Sequence, residues 1–260
     1  MGEHRGCAVD LTLYQLATGR EVQMPSRYDD FSERAHPDYA GGTPACAISH
    51  GCATVQQSEY AELAGVLTQA YLKQICVDGF WHSDPHPGNY LFHDDGSVTF
   101  LDFGLVKRWA PGELEGLSPI LDAILAKDPE GTLKAVVHSG FLPPDSGVPA
   151  ERLYEFCTLP YLPFQAKEFT YSSEFVGQTL QRMLDLSGEF NDVIRLLNMP
   201  PSYVILDRVV WGMSALFGRM GVTHRWGDLL DEYLHHAPPS TELGRAEVEW
   251  RRRRLAAAPL

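Results

Sequence analysis

In the stretch SEYAELAGVLTQAYLKQICVDG, the apolar residues Leu63, Val66, Leu67, Ala70, Ile75 and Val77 recur at the spacing of one helical face. This predicts a buried helix that Ser58 caps and Gly79 ends. The period then shortens. Two brief runs of β-type composition, NYLFH and SVTFLDF, flank Asp94-Asp95-Gly96, whose Asp-Gly step supplies the positive φ angles of a tight hairpin. Beyond Gly104, helical spacing returns near 112–126, 128–138, 150–157, 171–197, 200–219 and 226–235, and Asp128-Pro129-Glu130 has the acid and proline of a helix start. Residues 1–57 are rich in small and turn-forming types and predict mostly irregular structure, with LTLYQL and REVQM as a strand pair about Gly19. The last stretch, 237–260, is charged and then simple in composition. The pattern describes a mainly α chain with a small β-hairpin, divided at about residues 57 and 236.

Composition narrows the class of function. A chain of 260 residues that is 44% hydrophobic is long enough to bury a sizeable core. Its 21 basic and 34 acidic residues leave a net charge of -13, which opposes binding a nucleic-acid backbone through a broad surface. Cys7, Cys46, Cys52, Cys76 and Cys157 form no C-x-x-C pair, and an odd number fits free thiols in a reducing compartment. The N-terminus carries no apolar run of signal-peptide length, and the most apolar segment, YVILDRVVWGMSALF, is broken by Asp207 and Arg208. The expectation is a cytoplasmic protein, with peripheral membrane contact left open.

The segment that carries chemistry is GFWHSDPHPGNYLFHDDGSVTFLDFGLV, residues 79–106. Asp84 and Asn89 stand five apart, and Asp102 follows thirteen later, across the hairpin. Two carboxylates and an amide oxygen on loops at one sheet edge suit phosphoryl transfer. One aspartate orients an attacking hydroxyl, while the amide and the second aspartate hold magnesium against nucleotide phosphates. Pro85 and Pro87 stiffen the loop, and Gly88 allows a bend before Asn89. Singly, an aspartate in a turn more often satisfies backbone N–H groups, but together His-x-Asp, Asn and Asp-Phe-Gly keep the order and spacing of a kinase catalytic loop. Zinc on His82, His86 and Asp84 is the competing reading; histidines four apart share a metal on a helix, which the two prolines oppose.

These residues resemble the AarF/UbiB family of atypical protein-kinase-like proteins, whose catalytic segment reads close to His-Ala-Asp-Pro-His-Pro-Gly-Asn followed by Leu-Asp-Phe-Gly. The likeness extends from the helix ending QAYLKQICVDGF to MPPSYVILDRVVWGMSALFGRM, about residues 58–236. It implies a kinase-like C-terminal lobe that binds ATP with Mg2+, with Asp84 as the catalytic-loop aspartate and Asn89 and Asp102 as metal and nucleotide ligands. It also implies an ATPase or small-molecule kinase linked to lipid or isoprenoid quinone chemistry.

The sequence departs from the family at its start. No lysine precedes Lys73, and Lys73 falls within the helix before the catalytic loop, so the strand lysine that pairs with nucleotide phosphates is missing. The expected N-terminal lobe is truncated or divergent. Two functions therefore compete: an atypical kinase or ATPase using Asp84, Asn89 and Asp102, and an inactive, pseudokinase-like binding scaffold.

Overall fold

A computed structural model describes residues 57–92 and 97–257, together with the strand residues 14–15 and 20–21. Strands β1 (Tyr14–Gln15) and β2 (Arg20–Glu21) pair antiparallel, as the runs about Gly19 predict. Helix α1 (Gln57–Leu72) begins one residue before the expected Ser58 cap. It does not run on to Gly79 as an α-helix: residues Lys73–Asp78 widen into a π-helical turn, which Gly79 closes at a φ of 64°.

Three short strands and a ribbon partner follow. β3 (Phe80–His82) pairs antiparallel with β6 (Val106–Arg108), and between them β4 (Tyr90–Phe92) pairs with β5 (Val98–Phe100) in the register Tyr90↔Phe100. The strands flanking the hairpin turn thus stand as predicted; the turn Asp94-Asp95-Gly96 itself lies outside the described residues.

The rest is helical: α2 (Glu113–Leu125), α3 (Pro129–His138), α4 (Ala150–Thr158), α5 (Leu162–Gln165), α6 (Ser173–Leu184), α7 (Asn191–Ile194), α8 (Pro201–Met220), α9 (Trp226–Leu234) and α10 (Glu242–Ala257). Asp128 caps α3 as expected, its carboxylate accepting the Gly131 N–H at 2.9 Å. The long helix predicted over 171–197 is instead two. Asp185 leaves helical geometry and accepts the Ser187 N–H on its side chain, which turns the chain between α6 and α7. A strand pair missing from the pattern, β7 (Phe169–Thr170) with β8 (Thr223–His224), ties the start of α6 to the end of α8. The segment read as a charged tail holds α10, docked where Glu247 accepts the Tyr233 hydroxyl at 3.0 Å and Thr241 accepts the Gln69 amide at 2.8 Å.

The core runs from α1 through α8 to α9. Ala64, Leu67, Trp81, Tyr90, Leu153, Phe190, Val193, Trp226 and Leu229 are fully shielded from solvent. On α8, Val209 and Leu216 join this core, while Val204 remains 52% exposed. An apolar cavity of about 100 Å³ lies between α1, α8 and α9, lined by Tyr71, Ile75, Val209, Met213 and Trp226 among others. No helix among the described residues is long and apolar enough to cross a membrane.

Candidate phosphoryl-transfer site

The site begins at the π-helical turn. Widening frees backbone groups that the neighbouring residues then satisfy. The Trp109 indole donates to the Ile75 carbonyl at 2.9 Å, and the Gln74 side-chain oxygen accepts the His82 N–H at 2.9 Å. β3 is thereby fastened to the helix that precedes it. Trp81 is fully buried and packs on Trp109 with ring centroids 4.5 Å apart.

His82 is the hub. Its ring is fully buried, and Nε2 faces two carbonyl oxygens, Asp102 at 2.8 Å and Leu101 at 3.0 Å. Nδ1 faces two donors, the Asp84 N–H at 3.3 Å and the Tyr71 hydroxyl at 3.4 Å. Two acceptors on one side and donors on the other assign the ring proton to Nε2. One imidazole so joins the Asp84 loop to the Asp-Phe-Gly turn. Both ring nitrogens are committed, which removes His82 from any zinc site, and the 82–86 stretch is not helical. Tyr71 also meets the Tyr90 hydroxyl at 2.8 Å, and burial keeps both phenols far above their ordinary pKa, hence neutral.

The loop after His82 folds on itself. The His86 N–H donates to the Asp84 carbonyl at 2.7 Å, and the Asn89 N–H to the His86 carbonyl at 2.9 Å. Pro87–Asn89 form a single tight turn, and the Leu101 N–H reaches the Asn89 carbonyl at 2.8 Å. That last bond extends the β4–β5 ladder by one step, so Asn89 and Asp102 leave the same end of the hairpin. Buried Pro85 sits on α8 at Gly212. A Cβ at that glycine would stand 2.3 Å from the Pro85 ring, so only glycine lets the loop come this close.

Three functional groups result. Asp84 is half-buried; one carboxylate oxygen accepts the Asn89 amide at 3.1 Å and the other accepts Arg208 of α8 at 2.6 Å. Burial pushes its carboxyl up, but the hydrogen bonds from Arg208 and Asn89 and the nearby charges of Arg208 and His86 outweigh it and hold the pKa below the usual value. Asn89 spends its NH2 on Asp84, on the carbonyl at 3.0 Å as well as the carboxylate. Its Oδ1 is left facing outward as an acceptor. Asp102 is exposed and left-handed at a φ of 52°, a conformation aspartate tolerates, and its Oδ1 accepts the Gly104 N–H at 3.0 Å.

Among the described residues nothing donates to Asn89 Oδ1 or Asp102 Oδ2, and no cluster of three His, Cys, Asp or Glu side chains forms. A hard cation that takes a few oxygens from protein and the rest from water and phosphate fits this pair; zinc does not. The structure therefore gathers all three sequence-predicted residues, Asp84, Asn89 and Asp102, into one hydrogen-bonded knot around His82. Sequence reasoning missed Arg208, read only as a polar break in an apolar helix. Its signal is the four-residue step to Gly212, which puts both on the helix face that meets the loop. Lys73 takes no part: it pairs with Asp78 at 2.6 Å on the far side of the turn.

Comparison with known proteins agrees with this geometry. Residues 39–136 match the ABC1 atypical kinase-like domain. The chain is similar to protein ACTIVITY OF BC1 COMPLEX KINASE 8, chloroplastic, of Arabidopsis thaliana, 40% identical over 86 residues, which are 32% of this chain and 11% of that protein. It is also similar to a chloroplastic aarF domain-containing protein kinase of the same plant, 37% identical over 157 residues, covering 59% of this chain and 22% of that one. The chain thus spans a minor part of these relatives' length. The solved complex of Rv3197 with erythromycin from Mycobacterium tuberculosis shares the fold, with a TM-score of 0.61 at 20% identity over 77% of this chain and 49% of that one. These matches support the resemblance of the chain to the AarF/UbiB family of atypical kinase-like proteins.

Proposed function

We propose that the protein binds ATP with magnesium and transfers the γ-phosphoryl group to a hydroxyl acceptor or to water. The observation that carries this reading is the knot itself: one buried histidine fixes both the Asp84 loop and the Asp102 turn, and leaves Asn89 Oδ1 and Asp102 Oδ2 free at one end of the hairpin. Those two oxygens are the ones that would hold magnesium. Bound there, the ion supplies charge neutralisation to the nucleotide phosphates.

Asp84 acts on the acceptor. Its depressed pKa keeps it ionised, so it orients the attacking hydroxyl as a hydrogen-bond acceptor and takes the proton only as transfer proceeds. The acceptor oxygen bonds to the γ-phosphorus as the bond to the β,γ-bridging oxygen breaks. The electron pair leaves with ADP, and the proton passes to Asp84 and on to water. The family's link to lipid and quinone chemistry makes an amphiphilic acceptor the first class to try.

A second reading has its own support. Lys73 is held by Asp78 at 2.6 Å, which suits a nucleotide-binding or ligand-binding scaffold without turnover. Phosphate release from Mg-ATP, measured beside equilibrium binding, separates the two. Asp84→Asn should keep binding and lose turnover by about a hundredfold or more. Wild-type binding without turnover would instead favour the scaffold, and neither binding nor turnover would end the nucleotide reading.

A further inference from the structure

The two oxygens of Asp84 are shared between opposite partners. Asn89, on the metal side, takes one; Arg208 takes the other at 2.6 Å. Arg208 therefore occupies the carboxylate oxygen that Asn89 leaves. Its side chain is 55% exposed, and among the described residues its guanidinium makes no bond besides that to Asp84. Its other two nitrogens keep their donor capacity.

As a structural device this pair achieves little, since an exposed ion pair is screened by solvent and pays side-chain entropy. Its placement is nonetheless rigid. Arg208 stands one helical turn before Gly212, where α8 meets Pro85, so helix and loop cannot shift independently. Of the other cations in this region, Arg108 lies over the Phe80 ring at 5.3 Å and Lys73 is paired with Asp78 at 2.6 Å.

We infer that Arg208 is an acceptor-binding residue, and that the acceptor carries its own anionic group, a phosphomonoester or a carboxylate, next to the hydroxyl that Asp84 orients. A guanidinium offers such groups two parallel donors, and Asp84 beside it keeps one face for the hydroxyl. The inference rests on the phosphoryl-transfer reading for its chemistry, but the anion site is testable without nucleotide.

The test is titration of the purified chain with inorganic phosphate, and separately with acetate, in EDTA, followed by thermal shift. Wild type should show saturable stabilisation by at least one anion. Arg208→Gln should weaken it by about tenfold or more, the loss of a charge-assisted hydrogen bond, with Arg208→Lys intermediate. Asp84→Asn should tighten it, because the competing carboxylate is neutralised. Arg195→Gln, an exposed arginine outside the site, serves as the control and should bind as wild type does. Unsaturable wild-type response, Arg208→Gln equal to wild type, or Asp84→Asn weaker than wild type would each overturn the inference. Opposite signs for two neighbouring variants cannot come from misfolding. Mg-ATP titrated in parallel keeps the two ideas apart: failure of that arm alone removes the phosphoryl-transfer reading and leaves the anion site.

Discussion

The segment from Phe80 to Arg108 and the helix α8 are built on different principles. The first has strands of three residues each, with Phe80, Phe103, Leu105 and Val106 all more than a third exposed, and holds its shape through hydrogen bonds that converge on His82. The second buries Val209, Met213, Leu216 and Phe217 and holds its shape by packing. The candidate site lies on the segment that packs least, and that segment rests on the helix that packs most. The meeting points are few: Gly212 under Pro85, Met213 under the Tyr90 hydroxyl, and Arg208 on Asp84. A rigid helix thus supplies the reference surface for a loop that could not fix itself.

The comparison breaks most readily at Gly212. Gly212→Val should cost about 2–3 kcal/mol, because the new side chain overlaps Pro85 and must push the loop off α8. Gly177→Ala is the matched control, since nothing lies within 4 Å of a Cβ there and the helix should gain about 0.5–1 kcal/mol. Urea denaturation of both variants checks the contrast; equal effects would show that α8 does not position the loop.

Asp207, adjacent to Arg208, sharpens the comparison from the packed side. It has no hydrogen-bond partner among the described residues, and burial pushes its carboxyl up to about 6. A carboxyl whose folded pKa is raised costs stability once ionised. The cost is absent below the ordinary value near 4 and complete above about 6. Asp207→Asn should therefore stabilise the protein by about 1–3 kcal/mol at pH 7.5 and change nothing near pH 3.5. Tm measured at both values decides it.

A smaller effect is expected from Tyr71→Phe. It removes the hydroxyl shared by His82 and Tyr90, costing about 1 kcal/mol, and it should weaken Mg-ATP binding if His82 orients the loop. The smallest effect lies far from the site. His235 joins α2 to α9 through Asp122 at 2.7 Å and Asp231 at 2.8 Å, and the hydrogen bonds its ring donates to these two carboxylates raise its pKa. Its contribution is full below pH 6.5 and fades as pH rises through the higher folded value. The Tm difference between wild type and His235→Gln should shrink over that rise.

The trio could be read as a group because its order is local: Asp84, Asn89 and Asp102 flank one hairpin, and Asp-Gly between two β-type runs announces that hairpin. Helix starts were legible where a cap was explicit, as at Asp128. Partners distant in sequence were not. Arg208 lies 124 residues from Asp84, and nothing in its own neighbourhood distinguishes it from a solvated charge. The β3–β6 pair was hidden because Phe80–His82 and Val106–Arg108 are too short to show alternation. The break between α6 and α7 was readable in Asp185, Ser187 and Gly188, but the flanking helical spacing masked it.

The central claim is that Asn89 and Asp102, held by His82 and backed by α8, form one metal-nucleotide site. Isothermal titration of Mg-ATP into the wild-type chain and into Asn89→Ala and Asp102→Ala tests it most directly. A single binding event, magnesium-dependent and lost in both variants while their circular dichroism stays native, is the predicted result. Binding that survives either substitution unchanged, or that persists in EDTA at the same affinity, would contradict it.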